Sequence, residues 1–180
     1  MINIFSNLIL KTCMTTKSAP SQTLRLVSNN GFAEVWKNEA NGQQSLHATK
    51  SFAPGDVICS FHAGTTSTTV TYLTVQIDDD KHITLQPEFL QYINHSCSPS
   101  VFFDTTLMQL VCLAEVNTGD EFTFFYPSTE WEMVQPFTCY CGSSNCLKTI
   151  EGAAHIKDEV LEQYRLTDFI KRKLKNRQQY

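Results

Sequence analysis

From Gly31 onward apolar and polar residues alternate over short stretches, and the alternation has the period of strands. Phe32-Ala33-Glu34-Val35-Trp36 and residues 46–50 flank a turn at Asn41-Gly42, the pattern of a half-buried hairpin. Pro54-Gly55-Asp56 marks a tight turn, and residues 57–61 follow as a short buried strand. Thr65 to Thr69 reads as a polar connection. Residues 70–77 are β-rich in composition, and Asp78-Asp79-Asp80 closes them as a turn. Residues 87–93 predict one short helical turn with Pro87 at its start, where a missing N–H costs nothing. Residues 101–104 and 108–114 are spaced as a hairpin, and Asn117-Thr118-Gly119-Asp120 turns into a strand over residues 121–126. After Gly152 the period lengthens. Residues 158–165 and 168–177 predict helices, with Thr167 as the N-cap of the second. Phe169, Ile170 and Leu174 share a face of that helix, and Lys171, Arg172, Lys173, Lys175 and Arg177 make its end basic. This reads as a surface helix packed on the domain, its cations near a helix C-terminus; a nucleic-acid contact is the alternative.

At 180 residues, with 42% hydrophobic and 18% charged residues, the chain reads as one globular domain with short tails. No apolar run approaches the ~20 residues of a membrane span, so no membrane partner is expected. A net charge of −4 argues against direct nucleic-acid binding and suits a cationic substrate. Residues 1–30 carry Lys11, Lys17 and Arg25 but no acid. That composition is like a transit peptide, but the favoured reading is a loose N-terminal tail, with Met14 as a second candidate start. The seven cysteines are an odd number, so disulfides would not use them all. Cys59 and Cys112 sit in apolar runs and read as core thiols. Both features suit a reducing, intracellular compartment, cytoplasm or nucleus.

Three stretches carry uncommon chemistry. Phe89-Leu90-Gln91-Tyr92-Ile93 runs into Asn94-His95-Ser96-Cys97, and Pro99 then forces its predecessor out of helix. On these residues alone, a polar turn with a buried cysteine is an equal reading. Gly119-Asp120-Glu121-Phe122-Thr123-Phe124-Phe125-Tyr126 is the second stretch. The third is Cys139-Tyr140-Cys141-Gly142-Ser143-Ser144-Asn145-Cys146, three thiols within eight residues, a spacing of metal ligands more than of a disulfide framework. Taken in this order, the three stretches resemble the SET-domain protein lysine methyltransferases with a post-SET zinc loop. The resemblance covers roughly residues 31 to 152.

That resemblance implies a mainly β fold of several small sheets with a knot-like crossing and short C-terminal helices. It implies a loose tail at 1–30, a SET domain at 31–130, a post-SET zinc loop at 131–152 and a helical tail at 153–180. The activity implied is transfer of a methyl group from S-adenosylmethionine to a lysine of a protein or peptide, a histone tail or a non-histone protein. Tyr126 matches the catalytic tyrosine, and Phe124 the position two residues earlier that governs how many methyl groups are added; phenylalanine there implies di- or trimethylation. Asn94 and His95 match residues that hold the cofactor, His95 mainly through its backbone. Leu46 and His47 fall in the frame of the N-terminal cofactor loop, and Trp131, Phe137 and Tyr140 are aromatic candidates to wall the site. Cys97 joins Cys139, Cys141 and Cys146 as the fourth ligand of a structural zinc.

The chain also departs from the family. Gln43-Gln44-Ser45 stands where a Gly-x-Gly loop is expected, and glycines let backbone approach a cofactor closely. His62 replaces a tyrosine, Gln91 an arginine, Ser100 an asparagine and Phe125 an aspartate. The missing glycines leave a second function open, a SET-fold binding module without catalysis. A third reading, a metal-stabilised thiol protein of another fold, leaves Asn94-His95 and Tyr126 without a role.

Overall fold

The structure is a computed structural model and describes residues 23–177. Strands β1 (Leu24–Asn29), β2 (Ala33–Asn38) and β3 (Gln44–Ala48) form an antiparallel sheet in that order. Ala33, Val35, Leu46 and Ala48 alternate into the core, as the period-two pattern requires. At the β2–β3 turn Gly42 has φ +76°, a conformation that a Cβ disfavours. The loose tail expected over residues 1–30 is therefore too long: Leu24–Asn29 is an edge strand, held by its pairing with β2. The expectations for residues 1–22, the second start at Met14 included, lie outside the described residues.

Next come β4 (Val57–Ser60), β5 (His62–Ser67), β6 (Thr74–Asp78) and β7 (Lys81–Gln86). β5, β7 and β6 make a second antiparallel sheet, in the spatial order β5-β7-β6. Here the sequence reading needs correction. Residues 65–67 belong to strand β5 instead of a polar connection, because β7 offers them a ladder. Residues 70–73 precede β6 as a turn. A 3-10 turn at Glu88–Tyr92 follows, as Pro87 indicated.

After it, β8 (Asn94–His95) leads to the hairpin β9 (Val101–Asp104) and β10 (Gln109–Cys112), which joins β4 in a third sheet. β11 (Thr123–Phe124) pairs with β8 in parallel. It is shorter than the strand expected over 121–126, because the chain bends at Pro127 into a 3-10 turn, Tyr126–Ser128. The Asn94–Ser100 segment clasps β11 from both ends. Ser96 N–H donates to Phe124 O (3.0 Å), and Ser100 N–H donates to Thr123 O (2.9 Å). The thread before β11 runs beside β3: Gly119 N–H reaches Ala48 O, and Phe122 N–H reaches Leu46 O, both at 2.8 Å.

The last elements are the two-residue pair β12 (Phe137–Thr138) and β13 (Thr149–Ile150), then α1 (Asp158–Leu161) and α2 (Asp168–Arg177). α1 is half the length that the sequence suggested. The α2 cap is as expected: Ile170 N–H points at Thr167 Oγ1 (3.4 Å). The same hydroxyl donates to Ser128 O (3.0 Å), so the cap also anchors the helix to the turn after Tyr126. Phe169 and Ile170 are buried. Arg172 and Lys173 pair with Asp78 and Asp79 at the end of β6, so acids of the same chain engage these cations.

The fold is thus mainly β, several small sheets with short helices, as the resemblance implied. Their inner faces share one core, in which Phe52, Phe122, Phe61, Phe103 and Phe124 meet edge to face or tilted, the arrangement ring quadrupoles favour. No helix among the described residues is long and apolar enough to cross a membrane.

Candidate active site

The β8–β11 crossing carries two kinds of chemistry. The first is a set of thiols. The sulfur atoms of Cys97, Cys139, Cys141 and Cys146 lie within 4.8 Å of one another, and no disulfide joins any cysteine among the described residues. Cys97 comes from the crossing, the other three from the loop between β12 and β13 and the strand end before it. Asn145 Nδ2 donates to Cys97 O (2.7 Å), and Tyr164 Oη donates to the same oxygen (2.9 Å). Cys97 Sγ receives Leu147 N–H (3.4 Å) and lies 3.4 Å from His95 Nε2. Tyr126 N–H donates to the other ring nitrogen, His95 Nδ1 (3.3 Å), so Nε2 carries the proton and donates to the sulfur. Burial pushes the Cys97 thiol up to about 12 and the Cys139 thiol up to about 11. Burial also opposes ionisation of Cys141, but hydrogen bonds to Ser143 and from the Cys97 backbone overcome it and bring it to about 5. Four converging sulfurs, two of them buried and two half-buried, can hold a metal ion, which removes the cost of burying thiolates.

The second is a cavity of about 620 Å³ into which Tyr126 and Phe124 open. Their rings lie 4.6 Å apart. Tyr126 Oη sits 3.5 Å from Ile93 O, which ties the phenol to the segment leading into β8. Burial, with Glu121 and Glu130 adding to it, pushes this phenol up to about 12, so it stays protonated at neutral pH and acts as a hydrogen-bond donor and acceptor. Phe137 lines the same cavity and also packs on the His95 ring, at 5.6 Å. Most of the other lining residues come from 70–75 and 133–137, two segments remote in sequence, with Leu85, Leu90, Gln91, Ile93, Phe103 and Glu130 completing the wall.

The predicted cofactor residues divide. Asn94 and His95 lie half-buried at the crossing, and among the described residues no strand pairs with β8 on the edge away from β11. Asn94 Nδ2 donates to Gln44 O (3.0 Å) and Glu121 Oε1 (2.8 Å). It thereby touches the frame in which the glycines are missing. Leu46 is fully buried, its carbonyl used by Phe122. The His47 ring is spanned between Ser45 Oγ (2.9 Å) and Gly119 O (3.0 Å). Both residues therefore brace β3 against the 119–122 thread. Trp131 is drawn away from the cavity by α2, with Lys173 and Arg177 over its ring at 5.4 and 5.5 Å. Tyr140 is 88% exposed. Neither lines the cavity.

Three residues near the site have structural roles that the sequence did not disclose. Phe125, where the family has an acid, stacks on Tyr164 with ring centroids 3.8 Å apart, joining the crossing to the C-terminal helices. Gly152 has φ +109°, and a Cβ there would lie 2.5 Å from Trp131 O, so the chain entering the 3-10 turn Ala153–His155 passes directly against Trp131. Glu130 is buried beside Gln76, to whose N–H its Oε1 is bound at 2.9 Å. A lone acid between Tyr126 and Trp131 was the one available signal.

The chain is 46% identical over 110 residues to the methyltransferase flvH of Aspergillus flavus, a match over 60% of this chain and 61% of that protein. It is 34% identical over 68 residues to the H3 lysine-36 specific histone-lysine N-methyltransferase of Candida albicans, and 29% over 75 residues to that of Debaryomyces hansenii. Those two matches cover 34% and 38% of this chain but 8% and 10% of the histone enzymes. The chain thus matches less than two thirds of the length of each of these relatives. No family model matches it. The relatives are named methyltransferases, the two weaker matches with a lysine of a histone in the name.

Proposed function

We propose that the chain is an S-adenosylmethionine-dependent protein lysine N-methyltransferase of the SET type, acting on a lysine of a histone tail or another protein in the cytoplasm or nucleus. The observation that carries this reading is the shared cavity of Tyr126 and Phe124, at the end of the strand pair that bears Asn94 and His95. The methyltransferase relatives support it. In this reading residues 31–130 form the catalytic unit, 131–152 the zinc loop and 153–180 a helical tail.

When bound, S-adenosylmethionine supplies a methyl group on a cationic sulfur. Asn94 and the backbone of His95 hold the cofactor, with Leu46 and His47 fixing β3 beside it. The attacking amine must be neutral, and a free lysine has a pKa of ~10.4. Entry into an apolar cavity lowers that value by desolvation. Tyr126 Oη and the Ile93 carbonyl orient the amine, and the aromatic walls exclude water. Cys97, Cys139, Cys141 and Cys146 fit a structural zinc, since their separations suit Zn–S bonds of ~2.3 Å in a tetrahedron.

The test uses labelled S-adenosylmethionine and an array of lysine-containing proteins and peptides. Tyr126→Phe should lower methyl transfer about 10²- to 10⁴-fold and leave cofactor affinity nearly unchanged. Wild-type turnover by that variant would remove the role given to the hydroxyl. A second reading, a binding module without catalysis, is favoured by one observation: the Asn94 carboxamide is already engaged by Gln44 and Glu121. Thermal denaturation separates the two. S-adenosylmethionine at about 100 times its Kd stabilises a binder by ~2.7 kcal/mol, whereas no shift at millimolar ligand supports the module.

A further inference from the structure

We infer that Glu130 is the group that recognises the cationic amine of the substrate on entry, ahead of the proton loss that attack requires, and so makes the cavity select an ammonium over a neutral side chain of the same shape. This deepens the proposal above and rests on it in one respect, that the cavity is the substrate site. Glu130 is 9% exposed and lines the cavity with Tyr126, Phe124 and Phe137. It is the one carboxylate among the described lining residues, and no Lys, Arg or His accompanies it. In a cavity that is otherwise mainly apolar, a single charged group decides which ligand enters. The aromatic faces around it also favour a cation.

The carboxylate is more than the fold requires. Its Oε1 accepts Gln76 N–H (2.9 Å) and the Thr129 hydroxyl (3.1 Å), and the amide oxygen of a glutamine would accept both. A buried charge costs more than a buried amide, so what glutamate adds is a negative charge and a second acceptor oxygen. The group is also held in place. Glu130 N–H donates to Tyr126 O (3.0 Å), and Gln76 Oε1 accepts Trp131 N–H (2.9 Å). The titratable groups around it are the Tyr126 phenol in the cavity, Lys173 and Arg177 of α2 on the Trp131 ring, and Asp78 and Asp79 at the end of β6, which pair with Arg172 and Lys173. Burial raises the Glu130 carboxyl to about 7, so its charge appears near neutrality, where a lysine amine in water is still a cation.

The experiment titrates the full chain with Nα-acetyl-lysine methylamide and with its norleucine counterpart, followed by protein NMR. At pH 8 the wild type should bind the lysine probe at least about tenfold more tightly than the norleucine probe. Its lysine affinity should rise roughly tenfold from pH 6 to pH 8, as a carboxyl of pKa near 7 ionises. Glu130→Gln should lose both the preference and the pH dependence, while Glu130→Asp, which keeps the charge, should recover part of each. Equal affinity of wild type and Glu130→Gln for the lysine probe would overturn the inference, as would a wild type that does not distinguish the probes. Methyl transfer is read separately. A Glu130→Gln chain with wild-type kcat and KM overturns the inference and leaves the methyltransferase reading standing. Amine selectivity lost with Glu130, in a chain that transfers no methyl group, supports the inference and removes that reading.

Discussion

The thiol cluster and the cavity are built on the same crossing of residues 94–97 with 123–126, yet they are assembled in opposite ways. Three of the four sulfurs lie within eight residues of chain, on one short loop between β12 and β13. The cavity has no such local nucleus. Its walls come from residues 70–75 and 133–137, from Leu85, Leu90, Gln91 and Ile93, and from Phe103, Phe124, Tyr126 and Glu130, side chains that several sheets and the turns between them bring together. The comparison teaches that one face of the crossing gathers four thiols, three of them from one short loop, while the other is assembled by packing of distant segments. His95 and Phe137 connect the two, since the His95 ring donates to Cys97 and both rings pack on Tyr126.

The largest expected effect breaks the thiol face, where the proposed zinc would sit. Removing the metal with chelator, or Cys141→Ser, should unfold the loop carrying β12 and β13, because structural zinc supplies on the order of 10 kcal/mol. Metal analysis of protein purified without chelator should return one equivalent of zinc; a value well below one contradicts the site. A second test loosens the packed face from behind. Phe125 is 2% exposed and stacks on Tyr164, so Phe125→Ala should cost about 3–5 kcal/mol. Urea denaturation measures it, and a cost below about 1 kcal/mol would mean that the C-terminal helices do not brace the crossing.

The third sharpens the contrast through pH. Burial raises the Glu130 carboxyl from its ordinary 4.5 to about 7. The native state therefore holds the proton more tightly than the unfolded chain between those values. The contribution of this group is fully present below about 4.5 and is lost as pH rises through about 7. Glu130→Gln is neutral throughout, so at pH 8 it should exceed the wild type by something on the order of 3 kcal/mol more than it does at pH 4. A gap between the two that stays constant from pH 4 to pH 8 would show that the carboxyl is not destabilised by its burial. The smallest effect concerns product choice. Phe124 lacks the hydroxyl that would hold a water or the amine, so the wild type should add two or three methyl groups and Phe124→Tyr should shift towards one. The hydrogen bond at stake is ~1 kcal/mol, enough to change a product ratio. Mass spectrometry of a substrate under excess cofactor decides it, and a wild type that stops at one methyl group refutes the assignment.

The sequence by itself determined the strand-rich class, the hairpin around Gly42, the β9–β10 hairpin, the turn after Pro87 and the capped helix α2. In each, side-chain period and turn residues act over a few positions, and the signal is written locally. It also determined that three of the thiols fall together, because their spacing is short. What only the tertiary structure decided is contact between distant segments. β5 looked like a polar connection until β7 supplied a partner ladder. Strand 121–126 shrank to Thr123–Phe124, because the 94–100 segment clasps only those two residues before Pro127 bends the chain. Leu46, His47, Trp131 and Tyr140 shared a motif frame or an aromatic character with site residues, and only the fold decided their surroundings: the core for Leu46, Ser45 and Gly119 for His47, α2 for Trp131 and solvent for Tyr140. Glu130 carried no motif at all. It became a wall of the cavity only because Gln76, 54 residues earlier, binds its carboxylate. Such a partnership is set by how the loop after Tyr126 packs against β6, and no period along the chain encodes it.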